Sequence, residues 1–323
     1  MDALSDVLKS VRLEGAVYLN AEFTAPWCVE SRHGLEGVKA RLAGADHVVF
    51  FHFFVEGGCK VPIDDGGVLQ VAGGDLVLFP LGDRQLMGSD LRLKPVEAAT
   101  LVEADAGSEG EIIHLRHGGG GERTRVVCGY LACNRSVCRP LFEALPRVVR
   151  IPMGDASASS LLRDLLRVGV RESSESRPGA ESMLAKLSEL MFVEALRRYV
   201  EGMPPEGKGW LAGVRDLHVG RALASIHGEP GRNWTVDELA RAAALSRSAL
   251  AERFAALVGE PPIQYLARWR LALSAQALRS GGESIGRIAE RSGYDSEAAF
   301  SRAFKREFGM PPGAWRKEGS RTD

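Results

Sequence analysis

The chain has 323 residues, 45% of them hydrophobic and 26% charged, and 41 Lys and Arg against 42 Asp and Glu leave a net charge of −1. That length holds about two domains with a core in each, and the balance excludes a disordered polyelectrolyte and a chain that is basic as a whole. No stretch is apolar enough to span a membrane, the start MDALSDVLKSVRLEG has no run of signal-peptide length, and five cysteines, an odd number, predict a reducing cytoplasm and no disulfide framework.

The first 150 residues read as short strands. GAVYLNAEF, DHVVFFHFFVEGGCKVPI, VLQVAGGDLVLFPLG, EIIHLRHGGGG and RTRVVCGYLACN are β-branched or aromatic runs broken by Gly, Asp and Pro. Many short strands with glycine turns predict a barrel or jelly roll. Two helices follow, DASASSLLRDLLRVGVRES and GAESMLAKLSELMFVEALRRYVEG, joined by a loop around Arg177, Pro178 and Gly179. The second is apolar over a wide arc, which suits packing on the barrel or a contact between subunits.

EGMPPEGKG, Glu201 to Gly209, reads as a linker between a first domain over 1–205 and a second over 211–323. Charge divides there as well: from Leu211 onward 17 Lys and Arg stand against 13 Asp and Glu, an excess of +4, and the rest of the chain carries −5. The second domain is helical throughout. DLHVGRALASIHG opens it, and PPIQYLARWRLALSAQALRSG makes a long helix in its middle.

On either side of that helix one unit recurs. FSRAFKREFGMPPGAW places Phe300, Phe304 and Phe308 four apart with basic residues between them, and ends at glycine and paired prolines. ALAERFAALVGEPPIQY repeats it fifty residues earlier, with Leu250, Phe254, Gly259, Pro261 and Pro262 in register. Upstream, Leu239 faces Ile288 and Ala240 faces Ala289 at an offset of forty-nine, so the second copy has one extra residue in its turn. Thr235 with Glu238 reads as a capping box, and Ser246 and Ser284 as helix caps. Each unit is a helix-turn-helix. The central helix holds the pair at a separation suited to successive major grooves about 34 Å apart.

These last hundred residues, with DSEAAFSRAFKREFGMPPGAWR as the closing segment, resemble the AraC/XylS family of bacterial transcription regulators. The first two hundred are similar to the cupin-type sensor domain of one subgroup, carried by DALSDVLKSVRLEGAV, APW, GGDLVLFPLGD, GGGGERTRVVCGYL and PGAESMLAKLSELMFVEALR. The resemblance implies an α+β chain of two domains: an N-terminal cupin-like β-barrel with flanking helices, and a C-terminal all-α domain of two helix-turn-helix units joined by a long helix. It implies a regulator that couples a signal at the sensor domain to binding of double-stranded promoter DNA. A homodimer, a small-molecule or redox effector, and contact with RNA polymerase belong to the same expectation, as does a cytoplasmic location on the nucleoid, with no membrane partner and no cofactor.

In the first recognition helix Arg247, Ser248, Ala251 and Glu252 face outward, at positions that match the family's groove-facing ones, and a carboxylate such as Glu252 can accept from a cytosine amino group. In the second, the outward set is Ser296, Glu297, Ala298, Ser301, Arg302 and Lys305. Arg302 matches a base-reading position and suits guanine O6 and N7, while Lys305 and Arg306 suit phosphates.

Many cupins hold a metal with His-x-His, a glutamate and a later histidine. Here His47 and His52 are five apart, so they point to opposite faces of a regular strand, and Gln85 stands where the later histidine falls. No catalytic residue and no metal of that type is expected. Cys128, Cys133 and Cys138 lie within eleven residues, at spacings unlike a zinc knuckle. Buried inert thiols, a redox sensor with Cys133 or Cys138 resolving Cys128, and soft-metal binding all remain open for them. Two other functions also stand beside the regulator: a cupin metal enzyme with an autoregulatory DNA-binding tail, and an architectural DNA binder without effector.

Overall fold

The computed structural model describes residues 3–11, 14–31, 45–104, 113–152, 160–174, 178–204 and 206–319. Part of the expected loop around Arg177, Arg177 itself included, lies outside the described residues, as does residue 205 of the expected linker. The chain forms two compact units whose sequences interleave. One comprises Leu13–Cys133 and Leu145–Glu201, the other Met1–Arg12, Asn134–Ala144 and Gly202–Asp323.

The first unit is built on two sheets. Strands β1 (Glu14–Thr24), β3 (His47–Glu56), β6 (Leu76–Phe79), β9 (Ile113–Gly118), β10 (Arg123–Cys133) and β11 (Val149–Ile151) form one, in the order β11-β6-β3-β10-β1-β9. The other contains β2 (Cys28–Ser31), β4 (Gly58–Pro62), β5 (Val68–Ala72), β7 (Gln85–Gly88) and β8 (Val96–Glu97), in the order β5-β4-β7-β2-β8. Alternation along the strands sorts their side chains. Val48, Phe50 and Phe54 of β3 and Val126, Cys128 and Tyr130 of β10 join Val29, Cys59, Val61 and Val71 of the second sheet in one buried core.

The intervening residues Phe51, Phe53 and Val127 point the other way. There they meet Val170 of α4 (Ser160–Ser174) and Leu184, Leu187 and Met191 of α5 (Ala180–Gly202), so these helices cover the outer face of the larger sheet. A short α2 (Ala98–Ala104) follows β8 and packs on β2 and β9.

The second unit is helical. Its C-terminal part runs through α6 (Trp210–Arg215), α7 (Leu217–Gly228), α8 (Val236–Ala242), α9 (Arg247–Val258), α10 (Pro262–Arg279), α11 (Ile285–Arg291), α12 (Glu297–Phe308) and α13 (Pro312–Gly319). Two helices from the first half of the sequence belong to the same unit: α1 (Ala3–Val11) and α3 (Arg135–Phe142). Sequence patterning does not separate either of them. Asn134 ends the strand and caps α3 by accepting from Ser136 N at 3.1 Å. Their apolar faces, with Val7, Val137 and Leu141 fully buried, pack α1 on α7 and α3, and α3 on α10 and α6.

Each expected cap of the paired units is formed. Thr235 and Glu238 make the reciprocal capping box of α8, and Ser246, Ser284 and Ser296 each accept from a first-turn N–H of α9, α11 and α12. Gly259 and Gly309 close α9 and α12 in the left-handed region, at φ 91° and 77°. The turns differ by the expected single residue: three residues separate α8 from Ser246, four separate α11 from Ser296.

Both turns need a left-handed residue. The second uses Gly293, at φ 73°, whereas the first uses Ala244, at φ 54°. An alanine there is strained by about 1–2 kcal/mol, while glycine costs about 0.4–1 kcal/mol in unfolded-chain entropy. Ala244→Gly is therefore expected to stabilise the helical unit by about 0.5–1 kcal/mol, read as a raised urea midpoint at unchanged slope. A lowered midpoint would show that the alanine methyl contributes packing that outweighs the strain.

Candidate nucleic-acid interface

The back of each recognition helix is buried and the front is open. On α9, Leu250 and Phe254 are fully buried, with Phe254 against Tyr265 of α10. On α12, Phe300 and Phe304 are fully buried among Leu271, Ala275, Leu278 and Ile288, with Phe308 and Trp315 packed at the edge. Leu257, in the last turn of α9, is half-buried.

The sequence-predicted residues occupy the opposite face. Arg247, Ser248 and Glu252 of α9 are exposed and Ala251 is half-buried. Around α12, Ser296, Glu297, Ala298, Arg302, Lys305 and Arg306 are exposed and Ser301 is half-buried. Ser296 is committed to its helix, since its hydroxyl caps Ala299 N. Arg247 Nη1 lies 3.4 Å from Asp237 Oδ2 on α8, an exposed and weakly held pair. Among the described residues neither Arg302 nor Lys305 has an ion-pair partner, so both stand ready for an external anion.

Two anchoring residues escape a reading of spacing alone. Asp216 caps α7 by accepting from His218 N and Val219 N, and its other oxygen receives Arg253 of α9 at 2.5 and 3.0 Å. The cap was legible as an aspartate before an apolar-periodic run. The partner thirty-seven residues away had no local signal. Arg253 holds the carboxyl of Asp216 below its usual value against the effect of burial.

In the first unit the structure pairs the residues on which a metal reading would turn. His52 points into the core and donates from Nε2 to Gln85 Oε1 at 2.6 Å, while His47 donates to the Pro80 carbonyl at 2.7 Å. No group of three metal-ligating side chains lies together among the described residues. Burial pulls the His52 pKa down to about 4, with the Gln85 bond opposing, and Nδ1 has no partner for a second proton. His227, buried in the helical unit and sharing a 2.8 Å hydrogen bond with Tyr265, is lowered by burial to about 3.

Both histidines are thus neutral in the fold but titrate near 6.5 in an unfolded chain. Above that pH they leave stability unchanged. As pH falls below about 6.5 the unfolded chain binds protons that the fold refuses, and each group removes up to about 1.4 kcal/mol per pH unit, toward about pH 4 for His52 and about 3 for His227. Urea midpoints measured between pH 7.5 and 4.5 should fall accordingly; a flat profile would refute neutral burial.

All five cysteines are buried, and none is in a disulfide. Cys128 shares its face with Val126 and Tyr130, as alternation requires. The expected resolving role of Cys133 is not available by a turn within the segment, because β10 runs straight through both residues. Five residues of strand separate them by about 17 Å, against the roughly 7 Å that a disulfide permits. Cys138 lies fully buried on α3. Cys59 of β4 lies in the same buried core as Cys128, and burial pushes both thiols well above their usual range, which keeps them protonated.

Family models match most of the chain: a cupin model over residues 2–201 and a helix-turn-helix domain model over residues 239–318. A protein of Streptomyces lividans named as an AraC-like transcription regulator is 33% identical over 322 residues, 98% of each chain. The transcriptional regulator AlkR of Acinetobacter baylyi is 29% identical over 327 residues, 98% of this chain and 100% of its own. Among solved structures, ToxT of Vibrio cholerae covers 96% of this chain and 98% of its own at 13% identity and a TM-score of 0.37. The DNA-binding domain of AdpA, solved with a target DNA, covers 30% of this chain and 87% of its own at 32% identity and a TM-score of 0.29. No described helix is long and apolar enough to cross a membrane. Since relatives match from end to end and the family models fall on the barrel and on the paired helix-turn-helix units, the chain belongs to the AraC-like transcription regulators that carry an N-terminal cupin domain.

Proposed function

We propose that α9 and α12 enter successive major grooves of double-stranded promoter DNA, Arg302 reading guanine, Glu252 accepting from cytosine, and Lys305 and Arg306 meeting phosphates. Arg247, Ser248, Ala251, Glu297, Ala298 and Ser301 complete the two groove-facing sets, and Ser296 orients α12. The observation that carries this reading is the pair of recognition helices with buried aromatic backs and open fronts, on which Arg302 and Lys305 have no ion-pair partner among the described residues. The local charge excess of +4 supports it.

The test is a binding series on a duplex selected from a random library by the intact protein. Arg302→Ala should cost about 1–3 kcal/mol on that duplex and relax preference at one base pair. Equal loss on all duplexes would reassign the arginine to phosphate. Lys305→Ala should weaken every duplex alike and reduce the salt slope by about one. An unchanged slope would take the lysine out of the interface.

For the effector, a cleft of about 670 Å³ in the first unit is the favoured receptor. Its apolar lining, with Val61, Leu69, Phe79 and Leu86, suits a small apolar body, and its charged rim is already paired internally, Arg147 with Asp83 and Arg150 with Asp75. A receptor rather than a metal enzyme is supported by Gln85, which takes the hydrogen bond of His52 where the later histidine of a metal site would stand. In this reading the buried thiols of Cys128, Cys133 and Cys138 are packing residues, and neither soft-metal binding nor redox sensing is needed. Met183 and Leu190, 49% and 43% exposed and one heptad apart on α5, supply an apolar stripe for a homodimer. RNA polymerase as a further partner and a cytoplasmic location accord with this function.

A further inference from the structure

The two helix-turn-helix units are joined by more than the helix between them. Arg270, midway along α10, sends its guanidinium across two segments at once. Nε donates to the Pro230 carbonyl at 2.6 Å and Nη2 to the Arg232 carbonyl at 2.8 Å, both in the loop that leads into α8 of the first unit. The same guanidinium lies against Gly293 in the turn of the second unit, so close that a Cβ there would stand 2.8 Å from Cζ and Nη2. Glycine at 293 thus suits both the positive φ of the turn and this close approach of Arg270.

Two further contacts tie the same places together. A Cβ on Gly231 would stand 2.8 Å from the Arg291 carbonyl, so the loop of the first unit touches the end of α11 in the second. One turn along α10, the Ser274 hydroxyl donates to the Arg270 carbonyl at 2.7 Å and shares a 2.7 Å hydrogen bond with Ser292, both serines being buried. The loop itself is stiffened: Trp234 Nε1 donates to the Glu229 carbonyl at 3.1 Å, and the Arg232 guanidinium sits 4.0 Å from the centre of the Trp234 ring. Among the described residues Arg270 has no carboxylate partner. Its planar fork meets backbone on one side and a bare glycine on the other, a geometry that lysine cannot reproduce.

From this arrangement we infer that Arg270 is a positioning residue that fixes the separation of the two recognition helices, and thereby the spacing of the two half-sites that the protein accepts on DNA. The inference rests on the DNA-binding reading given above. One inserted base pair moves a half-site by about 3.4 Å and about 34° around the duplex. A pair of recognition helices held at a fixed separation meets that change only by losing base contacts in one groove or by deforming the DNA. A pair on a bare helix and loop shifts to follow it.

The experiment uses the intact chain and the duplex it selects from a random library, with versions of that duplex carrying one base pair more or fewer between the half-sites. The parent should bind the altered duplexes at least about tenfold more weakly, as for a lost base contact. Arg270→Ala should bind the parent spacing more weakly, yet lose no more than about threefold on the altered spacings, so that the spacing penalty narrows while preference within each half-site is kept. A residue needed only for stability lowers all duplexes alike and leaves the penalty intact. Arg270→Lys, which keeps the charge and the aliphatic stem, should also narrow the penalty and guards against a poorly folded alanine variant. Spin labels at positions 248 and 301, measured without DNA, should give a broader distance distribution in both variants. An unchanged spacing penalty in both, with unchanged distances, would overturn the role of Arg270 alone. A library that yields no enriched sequence would overturn the DNA-binding reading itself and the spacing role with it.

Discussion

Phe304→Ala is expected to lower the stability of the second helix-turn-helix by about 3–5 kcal/mol and to reduce binding of the selected duplex to the non-specific level. Phe304 is fully buried, and its ring centre lies 5.5 Å from Phe300, 4.5 Å from Phe308 and 5.8 Å from Trp315. It joins its helix neighbours Phe300 and Phe308 to Trp315 of α13. Removing it opens a cavity that rigid helices on either side cannot close. The loss reaches function because Arg302 and Lys305 are aimed only as well as the helix that carries them. Arg302→Ala provides the contrast, with affinity lost and stability unchanged. Thermal or urea unfolding with an amide-exchange readout separates the two, since exchange in Phe304→Ala should rise first around α11 to α13. A stability loss under about 1 kcal/mol would mean that Phe308 and Trp315 refill the site, and that α12 is held less tightly than its ring contacts imply.

Much of the second unit was legible because its information is local. Helical period, caps and C-terminal glycines all repeat at an offset of forty-nine or fifty residues, and two copies of one pattern confirm each other. The outward residues followed directly, since once Phe300 and Phe304 face inward, Arg302 and Lys305 face out. Arg270 was not legible, because its partners are two backbone carbonyls forty and thirty-eight residues away and a glycine with no side chain to signal the contact.

In the first unit, strand alternation placed Cys128 on the face of Val126 and Tyr130. What alternation leaves open is which strand of the opposite sheet lies across the core. That Cys59 rather than Cys133 shares the buried core with Cys128 therefore became visible only in three dimensions. The same holds for His52 and Gln85, whose separate oddities as metal-site residues resolve into one buried hydrogen bond. Helices α1 and α3 were hidden for a different reason. Each is under ten residues, too short for periodicity to stand out, and α3 carries Pro140 within it.

Those two short helices decide how the helical unit behaves when cut from the chain. The sequence pattern alone suggests that residues 211–323 fold by themselves, since a linker rich in proline and glycine precedes them. The structure leads to a different expectation. A fragment starting at Leu211 lacks Val7 of α1, Val137, Leu141 and Phe142 of α3, and Trp210 of α6, all buried at 3% exposure or less. These side chains belong to the same compact unit as α7 and α10. The lost Trp210 ring also stands edge-on to His227, at 6.0 Å, beside Tyr265 and Trp269. At about 1.5–3 kcal/mol for each buried side chain, the five together rival the whole stability of a domain, about 5–15 kcal/mol. The 211–323 fragment is therefore expected to melt at far lower temperature than the same helices in the intact chain, to bind a dye for exposed apolar surface, and to aggregate as concentration rises. Single changes in the intact chain test the same point without truncation. Val7→Asp and Leu141→Asp, both in the first half of the sequence, should raise amide exchange in α7 and α10 and weaken DNA binding, although neither residue lies on a recognition helix. A cooperative melt of the fragment within a few degrees of the intact value, together with unaltered exchange in both variants, would show that α1 and α3 rest on a domain already complete without them.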